Sequence, residues 1–370
     1  MLYNWQRSDW PKFTFDERSV VPLLENYLVQ VDLLQNKIER LPESDLEAFM
    51  LERIVEEASS TSSIEGDQIS REQLMSSLLN NLTMGKRRHE IRDMRATGIT
   101  RQIESNRQTW DEPLTETTLK YWHQLLLGHD KNLRVIGDYR KGEDAMQVIS
   151  GPATNLTVHY EAPPAKRLRK EMQILVKCCN ERQRLPIENI KTSGVAHLWF
   201  ESIHPFEDGN GRIGRALIEK LLSQVLRRFI PFSISHAIEA KRNLYYASLK
   251  ASQTGTDITP WMKFFGECLA DGVAYADTIV DFTVKKHLYY TRFRDQLSSE
   301  EAKVIAKMFE SGPEGFQGGM SARKYVSINR VSRATATRAL QRLADIGALV
   351  QRGQRRGTHY VLPFEENRPD

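Results

Sequence analysis

Several features that would mark a particular class of protein are scarce or missing in this sequence. Its 370 residues include only three cysteines, two of them adjacent at Cys178 and Cys179, which gives neither a disulfide framework nor a spacing of metal ligands. No apolar run approaches the ~20 residues that cross a bilayer, and the N-terminal residues lack the apolar centre of a signal peptide. We therefore expect reduced cysteines, no membrane partner and a cytoplasmic protein.

Apolar residues recur at helical spacing along most of the chain, which predicts a mainly α-helical protein of two or three domains. The exception is residues 135–160, where turn residues and short β-branched runs predict a small β-hairpin. The expected parts are an N-terminal helical region at 1–95, a helical core at 96–278, a connecting helix at 279–300 and a C-terminal domain at 301–363.

Residues 204–215 read His-Pro-Phe-Glu-Asp-Gly-Asn-Gly-Arg-Ile-Gly-Arg. Apolar spacing before them predicts a helix that ends at His204, because Pro205 disfavours helical geometry for the preceding residue. A second helix is predicted to begin near Arg212. We therefore expect a glycine-rich turn at the N-terminus of a helix, with His204 delivered by the preceding helix.

Such a turn can bind an anion, because the N–H groups of Gly209, Asn210 and Gly211 can point inward while the helix dipole adds positive potential. Arg212 and Arg215 favour this interpretation, since two cations in the first turn of a helix oppose its dipole unless an anion lies among them. Two arginines beside a nest of N–H groups indicate a polyphosphate ligand.

Asp208 and His204 add chemistry to this predicted anion site. A carboxylate beside phosphate requires a cation, and Mg²⁺ bridging Asp208 and phosphate oxygens is the usual solution. His204 is a near-neutral base that can take a proton from an attacking hydroxyl. A lone histidine at a helix end is more often structural, and a lone Gly-Asn-Gly is more often a plain turn. Their combination within twelve residues favours the functional interpretation.

The segment resembles the signature of the Fic family, H-P-F-x-[D/E]-G-N-G-R-x-x-R, at every fixed position. The resemblance implies a protein adenylyltransferase (AMPylator) with a Fic-type helical core, in which ATP donates AMP to a Ser, Thr or Tyr hydroxyl of a target protein or of the enzyme itself. It implies that His204 is the general base, Asp208 the ligand of Mg²⁺, and Arg212 and Arg215 the contacts of the β- and γ-phosphates. The nucleotide-binding residues implied by the motif are Gly209, Asn210, Gly211, Arg212, Ile213, Gly214 and Arg215, with Asn210 at the α-phosphate.

The resemblance extends to two further regions. Residues 156–164 are similar to the family's flap, a strand edge to which a target segment can add, and Thr157, Val158 and His159 are expected to contact the target. Tyr245 and Tyr246 resemble the paired tyrosines that lie against the adenine. A helix with one aromatic side chain buried is the alternative interpretation of this pair.

The segment Thr61-Ser-Ser-Ile-Glu65-Gly66 lies in a polar break after an apolar-periodic helix, and Thr61 and Glu65 face the same way if they share a helical turn. By itself it fits a capping role at the start of a helix. Beside the signature it resembles the Fic inhibitory motif, [S/T]-x-x-x-E-[G/N], which implies that Glu65 pairs with Arg215 and misplaces the phosphates of ATP. In some relatives the same glutamate helps water to remove AMP, so a de-AMPylating or bifunctional enzyme is an alternative function.

Basic residues concentrate near the C-terminal end, where residues 321–362 contain nine lysines and arginines and one acidic residue. Two short helices and a β-hairpin are predicted there, which resembles a winged helix-turn-helix. The residues expected to contact DNA are Arg333, Arg338, Arg352, Arg355 and Arg356. Docking or dimerisation is the alternative role of this domain, and a homodimer is left open. A DNA-binding regulator whose Fic domain only senses nucleotide is the rival function, although the intact His204 argues against it.

Overall fold

The computed structural model describes residues 2–82, 91–142, 146–150 and 157–365. This part of the chain is mainly helical, as the sequence predicted, with two small two-stranded sheets. None of its helices combines the length and apolar character of a membrane span. The helices are α1 (Glu17–Ile38), α2 (Glu43–Ile64), α3 (Arg71–Leu82), α4 (Met94–Gln108), α5 (Glu116–Leu127), α6 (Ala165–Asn180), α7 (Pro186–Ile203), α8 (Asn210–Leu226), α9 (Ile234–Ala240), α10 (Arg242–Ser252), α11 (Thr259–Phe293), α12 (Ser299–Phe309), α13 (Ala322–Asn329) and α14 (Arg333–Asp345). The strands are β1 (Gln147–Ser150), β2 (Thr157–Glu161), β3 (Val350–Arg352) and β4 (His359–Val361).

The chain divides into two compact units. The larger consists of residues 1–36 and 50–276, and the smaller consists of residues 37–49 and 277–370. Helix α11 runs without interruption from the end of the predicted core through most of the predicted connecting segment. Residues 279–293 are therefore a continuation of α11, not a helix of their own.

The core of the larger unit is built around the packing of α7 on α8. Helix α7 is buried along most of its length, and Phe200, Phe206 and Leu217 belong to one hydrophobic cluster with Trp122 of α5. The turn between α7 and α8 therefore lies against a large apolar core. Burial of this kind fixes the position of the turn, since well-packed interiors leave side chains few alternative placements.

Local sequence determines where α7 and α8 end and begin. Pro186 occupies the first position of α7, where its missing N–H is not needed. The helix stops at Ile203 because His204 adopts a left-handed conformation before Pro205. Helix α8 starts at Asn210, two residues earlier than the sequence predicted, because Gly209 with a φ of +78° closes the turn immediately before it.

The smaller unit contains α12, α13, α14 and the antiparallel β3–β4 hairpin. Ser298 and Glu301 form a reciprocal capping box at the start of α12, and Ser332 caps α14 by accepting the N–H of Thr335 at 3.1 Å. Leu340 and other inward residues of α14 pack in the core of this unit. The order of helices and hairpin matches the predicted order, and the winged-helix class stays a prediction.

The second sheet is the antiparallel β1–β2 pair of the larger unit, in which the register shifts between Val148 and Ile149. It agrees with the hairpin predicted from the sequence. Residues 143–145 and 151–156, which include part of the predicted hairpin and Leu156 of the predicted flap, lie outside the described residues.

Candidate active site

His204 follows α7 in a backbone conformation that residues other than glycine rarely adopt. Its φ is +50°, and its N–H donates to the carbonyl of Phe200 at 2.9 Å. Arg140 holds the turn, because its Nε donates to the carbonyl of His204 at 2.8 Å and its Nη2 donates to the carbonyl of Pro163 at 2.6 Å. A strained residue held by its surroundings is typical of a functional site.

The imidazole of His204 is neutral at pH 7. Burial lowers its pKa to about 4, and the positive charge of Arg140 adds to this effect. The side chain is 16% exposed, but Nδ1 is buried and has no hydrogen-bond partner among the described residues. Nε2 is therefore the ring nitrogen that an external hydroxyl can approach, and a neutral ring is the form that accepts a proton.

The turn before α8 is held by its own side chains. Asn210 Oδ1 accepts the N–H of Phe206 at 3.0 Å, and Asn210 Nδ2 donates to the Phe206 carbonyl at 2.9 Å. Asp208 Oδ1 accepts the N–H of Gly209 at 2.6 Å. The remaining N–H groups of the predicted nest belong to the first turn of α8, where a helix provides no acceptor. An anion at this turn can therefore accept hydrogen bonds from the N–H groups at the start of α8, whereas the N–H of Gly209 is already bound to Asp208.

Arg215 is fully buried and is held by the end of α2. Its Nε donates to Thr61 Oγ1 at 2.8 Å, and its Nη2 donates to the Thr61 carbonyl at 2.9 Å and to Glu65 Oε1 at 2.8 Å. Within the described part of the chain, its Nη1 has no hydrogen-bond partner. The structure therefore brings the two predicted inhibitory side chains onto the predicted γ-phosphate arginine.

Arg212 pairs with two other carboxylates. Its Nη1 donates to Asp67 Oδ2 at 3.0 Å, and its Nη2 donates to Asp208 Oδ2 at 3.3 Å. Asp67 accepts a second ion pair from Arg95 Nη1 at 2.9 Å. The two cations in the first turns of α8 are thus each offset by a carboxylate, which agrees with the expectation that they require anions near them.

The Glu65 carboxylate lies beside the first turn of α8, between Gly211 and Arg215. Thr61 lies in the last turn of α2, and Glu65 is the first residue after this helix. The motif therefore lies at the end of a helix, and the interpretation as a cap at a helix start is wrong. A Cβ placed on Gly211 would overlap Glu65 Oε1, so only glycine allows this approach. Burial acts to raise the pKa of Glu65, but the charge and hydrogen bond of Arg215, together with smaller contributions from Arg212 and His204, outweigh burial and lower the pKa. Gly66, with a φ of +89°, turns the chain away.

The C-terminal half of α2 is fixed to α8 and α9 by buried polar contacts. Arg53 pairs with Glu219 of α8, and both side chains are almost fully buried. Glu57 accepts the hydroxyl of Ser233 at 2.6 Å and the N–H of Ser235 at 3.2 Å at the start of α9. Breaking a buried ion pair costs about 3–5 kcal/mol. The C-terminal half of α2 is therefore anchored in the larger unit before the chain reaches Thr61 and Glu65.

The two predicted adenine tyrosines of α10 differ in environment. Tyr245 is 2% exposed, and its hydroxyl lies 3.0 Å from His197 Nε2. Tyr246 is 44% exposed, and its hydroxyl donates to the carbonyl of Ile64 at 3.1 Å. This pattern fits a helix with one aromatic buried, and Tyr246 is the one with a surface open to a ligand.

The remaining predicted site residues are distributed over other parts of the structure. Ile213 lies in the hydrophobic core of the larger unit, so its side chain does not face the anion site. Val158 of the predicted flap is exposed on β2, and the side chains of Thr157 and His159 lie outside the described part.

In the smaller unit, Arg333 and Arg338 are exposed on α14, and Arg355 is exposed near the tip of the hairpin. Arg352 donates to a main-chain carbonyl at 3.1 Å, so its side chain is already engaged within the unit. The side chain of Arg356 is not among those described. The described basic residues of the smaller unit thus include both exposed and internally bound side chains.

Sequence reasoning missed two acidic residues of the site. Asp67 comes directly after the inhibitory motif, and Glu201 precedes His204 by three residues on α7. Asp67 could have been recognised as a second acidic residue only two positions after Glu65. The signal for Glu201 was its spacing, because residues three apart share a helix face.

Two family models match the chain. The Fic/DOC family matches residues 113–222, which include the whole 204–215 segment, and a domain of unknown function, DUF4172, matches residues 3–84. Among curated proteins, the chain is similar to the protein adenylyltransferase Fic of Drosophila yakuba, at 30% identity over 146 residues. It is also similar to the protein adenylyltransferase fic-1 of Caenorhabditis elegans, at 30% identity over 118 residues.

These two matches cover 40% and 32% of this chain but only 26% and 21% of the relatives. The chain thus spans about a quarter of the length of the curated relatives that it matches. Because the similarity covers only one part of each relative, it does not by itself assign the relatives' activity to this chain.

Solved structures show the same fold. A Fic family protein from Desulfovibrio desulfuricans G20 aligns over 95% of this chain and 98% of its own, with a TM-score of 0.55 and 20% identity. Fic-1 of C. elegans (residues 134–508) aligns over 70% of this chain and 72% of its own, with a TM-score of 0.51 and 20% identity. Residues 113–222 are therefore a Fic/DOC family domain, within a chain of Fic-type helical fold.

Proposed function

We propose that the protein transfers AMP from ATP to a Ser, Thr or Tyr hydroxyl of a protein. The observation that carries this proposal is the position of His204, a neutral imidazole at the end of α7 beside the first turn of α8 with its two arginines. A site that only sensed nucleotide would have no need of such a base. The adenylyltransferase names of the similar proteins support the same reaction.

In the proposed reaction, the target hydroxyl oxygen attacks the α-phosphorus of ATP. The bond from that phosphorus to the bridging oxygen breaks, pyrophosphate leaves, and the hydroxyl proton passes to His204 Nε2. Positioning and charge neutralisation supply most of the rate enhancement in such transfers. The N–H groups of the first turn of α8, with Arg212 and Arg215, would hold the phosphate chain.

Asp208 suits a magnesium ion that is shared with the nucleotide. Among the described residues, no group of three or more His, Cys, Asp or Glu side chains could hold a metal by itself. Asp208 is 54% exposed at the turn, and Mg²⁺ commonly binds one or two carboxylates together with phosphate oxygens. Bound there, Mg²⁺ would offset the charge of the phosphates. One carboxylate beside the anion site fits this arrangement.

The end of α2 would inhibit the reaction. Glu65 and Thr61 make three hydrogen bonds to Arg215, and the Glu65 carboxylate lies against Gly211 in the position where phosphate would approach. ATP could then bind only with its γ-phosphate displaced from Arg215. Removal of AMP with help from Glu65 is the alternative reaction of the same site.

Replacing the base tests the proposed reaction. His204→Ala should lower AMP transfer by about 10²–10⁴-fold, because general-base catalysis contributes on that scale, while ATP binding is retained. Incorporation of labelled AMP into protein in a lysate, measured in the Glu65→Gly background, reports transfer, and calorimetry reports ATP binding. His287→Ala, which removes a histidine of the smaller unit, is the control. Transfer at the control rate by His204→Ala would refute the base assignment.

Replacing Glu65 tests the inhibition. Glu65→Gly should raise AMP transfer about tenfold or more, because Arg215 becomes available to the γ-phosphate and tenfold corresponds to only about 1.4 kcal/mol. Adding Arg215→Ala should cancel the gain. Glu47→Gly, at an exposed position of α2, is the matched control.

The inhibition is contradicted if Glu65→Gly and Glu47→Gly modify themselves and lysate proteins at equal rates. A second assay, which measures release of AMP from protein modified beforehand, distinguishes removal of AMP from inhibition of its transfer. If Glu65 serves removal instead of inhibition, Glu65→Gly should abolish release without changing the initial rate of transfer.

We further propose that the smaller unit binds DNA through α14 and the β3–β4 hairpin. Some of its basic residues make contacts within the unit: Arg342 pairs with Glu301 at 2.7 Å, and Lys324 donates to the Gln317 carbonyl at 2.6 Å. Arg333 and Arg338 are exposed on α14 and have no ion-pair partner within the described residues. These two side chains are the strongest candidates for contacts to phosphates or bases.

Binding of random duplex to the full chain should weaken steeply with salt, because each phosphate contact releases counterions. Replacing both Arg333 and Arg338 with Ala should weaken binding and reduce the slope of log K against log salt concentration by about 2. Lys286→Ala with Arg292→Ala, which removes the same charge from α11, is the control. Fluorescence anisotropy at several salt concentrations measures both quantities. Absence of binding at low salt, or equal loss in both double variants, would favour a protein-docking role.

A further inference from the structure

Three titratable side chains lie along α7 and at the residue that follows it. His197 and Glu201 are four residues apart on α7, which places them on the same side of the helix, and His204 follows the end of α7 with its ring near Glu201. His197 is fully buried and Glu201 is 8% exposed. The Fic signature includes only His204, so the roles of the other two are unassigned.

Glu201 is a buried carboxyl group without a hydrogen-bond partner at Oε1 among the described residues, and His204 Nδ1 is likewise buried and unpartnered. Glu201 Oε2 and His204 Nδ1 lie 4.0 Å apart, which is too long for a hydrogen bond but within reach of a small rotation of either side chain. Buried polar groups are nearly always paired, and exceptions call for an explanation. Against the larger effect of burial, the backbone of Glu201 also acts to raise the pKa of the His204 ring, so residue 201 acts on this histidine through its main chain as well.

Gly214 of α8 leaves room for this carboxyl group. A Cβ at Gly214 would lie 2.7 Å from Glu201 Oε1 and 3.0 Å from His197 Nδ1. The close approach of α7 and α8 therefore encloses Glu201 between the two helices. The groups near it include His197 and His204, and the charges of Glu65 and Arg215 act on it.

We propose that Glu201 is a positioning residue for His204, whose ionised carboxylate accepts a hydrogen bond from Nδ1–H and so keeps the Nε2 lone pair free for the target hydroxyl. The catalytic role of Glu201 rests on the proposed AMP transfer, whereas the contact between Glu201 and His204 does not depend on that function. Because Nδ1 is inaccessible, only the tautomer with the proton on Nδ1 can act as a base. The carboxylate also stabilises the imidazolium that forms when the proton arrives.

The charge on Glu201 changes near neutral pH. Burial and the carboxylate of Glu65 raise its pKa and the charge of Arg215 opposes them, which leaves the pKa at about 8. Below that pH the carboxyl group is protonated and donates to Nδ1 of His204, which leaves the ring proton on Nε2. Above it, the carboxylate accepts from Nδ1–H. The base-competent tautomer therefore increases as pH rises through about 8.

The other titratable groups that act on Glu201 do not change their charge in this range. Burial lowers the pKa of His197 to about 3, and burial raises the pKa of Tyr245 well above its usual value. Glu65 and Arg215 remain charged. Since Glu65 is one cause of the high pKa of Glu201, Glu65→Gly should move the change of tautomer to lower pH. The same carboxylate would thus inhibit both phosphate binding and the base.

Nitrogen-15 NMR of the histidine rings in the nucleotide-free full chain tests the proposal. Protonated and unprotonated ring nitrogens have distinct shifts, and His204→Ala identifies the His204 signals. Wild type should change from the Nε2–H to the Nδ1–H tautomer near pH 8, and Glu201→Gln should show no such change. Glu171→Gln, at a buried glutamate of α6, is the matched control and should behave as wild type.

Kinetics in the Glu65→Gly background provide the second readout. Glu201→Gln should lower kcat by on the order of 10²-fold and leave KM for ATP unchanged, because it affects the base and not the phosphate contacts. An unchanged His204 tautomer across pH in wild type, or a response confined to His197, would overturn the proposal. If no variant transfers AMP, the proposed function fails while the NMR result still decides the role of Glu201.

A second inference concerns Asp67 and rests on a different set of contacts. Asp67 ion-pairs with Arg212 at 3.0 Å, and Arg95 supports it from the other oxygen at 2.9 Å. Arg95 is itself held by Asp93 at 2.7 Å. Because Asp67 lies two residues after Glu65, one short segment places a carboxylate on each of the two phosphate arginines.

We infer that Asp67 competes with the β-phosphate for Arg212, as Glu65 competes with the γ-phosphate for Arg215. Arg212 has an 8% exposed side chain, and its Nη1 and Nη2 already contact Asp67 and Asp208, so a phosphate that binds these two groups must compete with the carboxylates. The two carboxylates would therefore act on nucleotides of different length. ADP has a β-phosphate but no γ-phosphate, and AMP has neither.

Calorimetric titration of the full chain with AMP, ADP and ATP distinguishes the two carboxylates. Asp67→Asn should tighten binding of ADP and ATP by about threefold to tenfold, the scale of a partly exposed ion pair, and leave AMP unchanged. Glu65→Gly should tighten binding of ATP alone. Asp93→Asn, which alters the support of Arg95 without touching Arg212, is the control. Equal or weaker binding of ADP by Asp67→Asn would show that Asp67 only supports Arg212.

Discussion

The buried guanidinium of Arg215 is the constraint on which the rest of the site depends. A charge removed from water must be paired, and Arg215 is fully buried in the first turns of α8. In this structure the end of α2 supplies the pairing through Thr61 and Glu65. A triphosphate could supply it instead. In the proposed inhibition these two partners exclude each other, because Glu65 Oε1 already lies against Gly211.

This exclusivity links the phosphate site to the base. Glu65 carries the charge that balances Arg215, and the same charge raises the pKa of Glu201 beside His204. Removing Glu65 would both open Arg215 and favour ionisation of Glu201. The buried pair of Arg53 and Glu219 anchors α2 to α8, so the proposed release of Arg215 requires displacement only of the residues beyond this anchor.

Short-range features of the site were predictable from sequence, and long-range pairings were predictable only through the family motifs. Pro205 and the glycines determine where α7 ends and how the turn is built, because these effects act between neighbouring residues. The contact between Glu65 and Arg215 followed from resemblance, whereas Asp67 with Arg212 did not, because many acids could have reached that arginine. The start of α8 was predicted two residues late because apolar spacing does not show that Gly209 closes the turn, and helix ends are uncertain by one or two residues. The continuity of α11 was missed because apolar spacing does not show whether two helical segments join.

A crystal structure of the Glu65→Gly variant with ATP and Mg²⁺ is the most direct test of the claim that Glu65 and the γ-phosphate compete for Arg215. The account predicts that Arg215 donates to γ-phosphate oxygens and that the α-phosphorus lies in front of His204 Nε2. An ordered triphosphate bound away from Arg215, with Thr61 still the partner of its guanidinium, would contradict it.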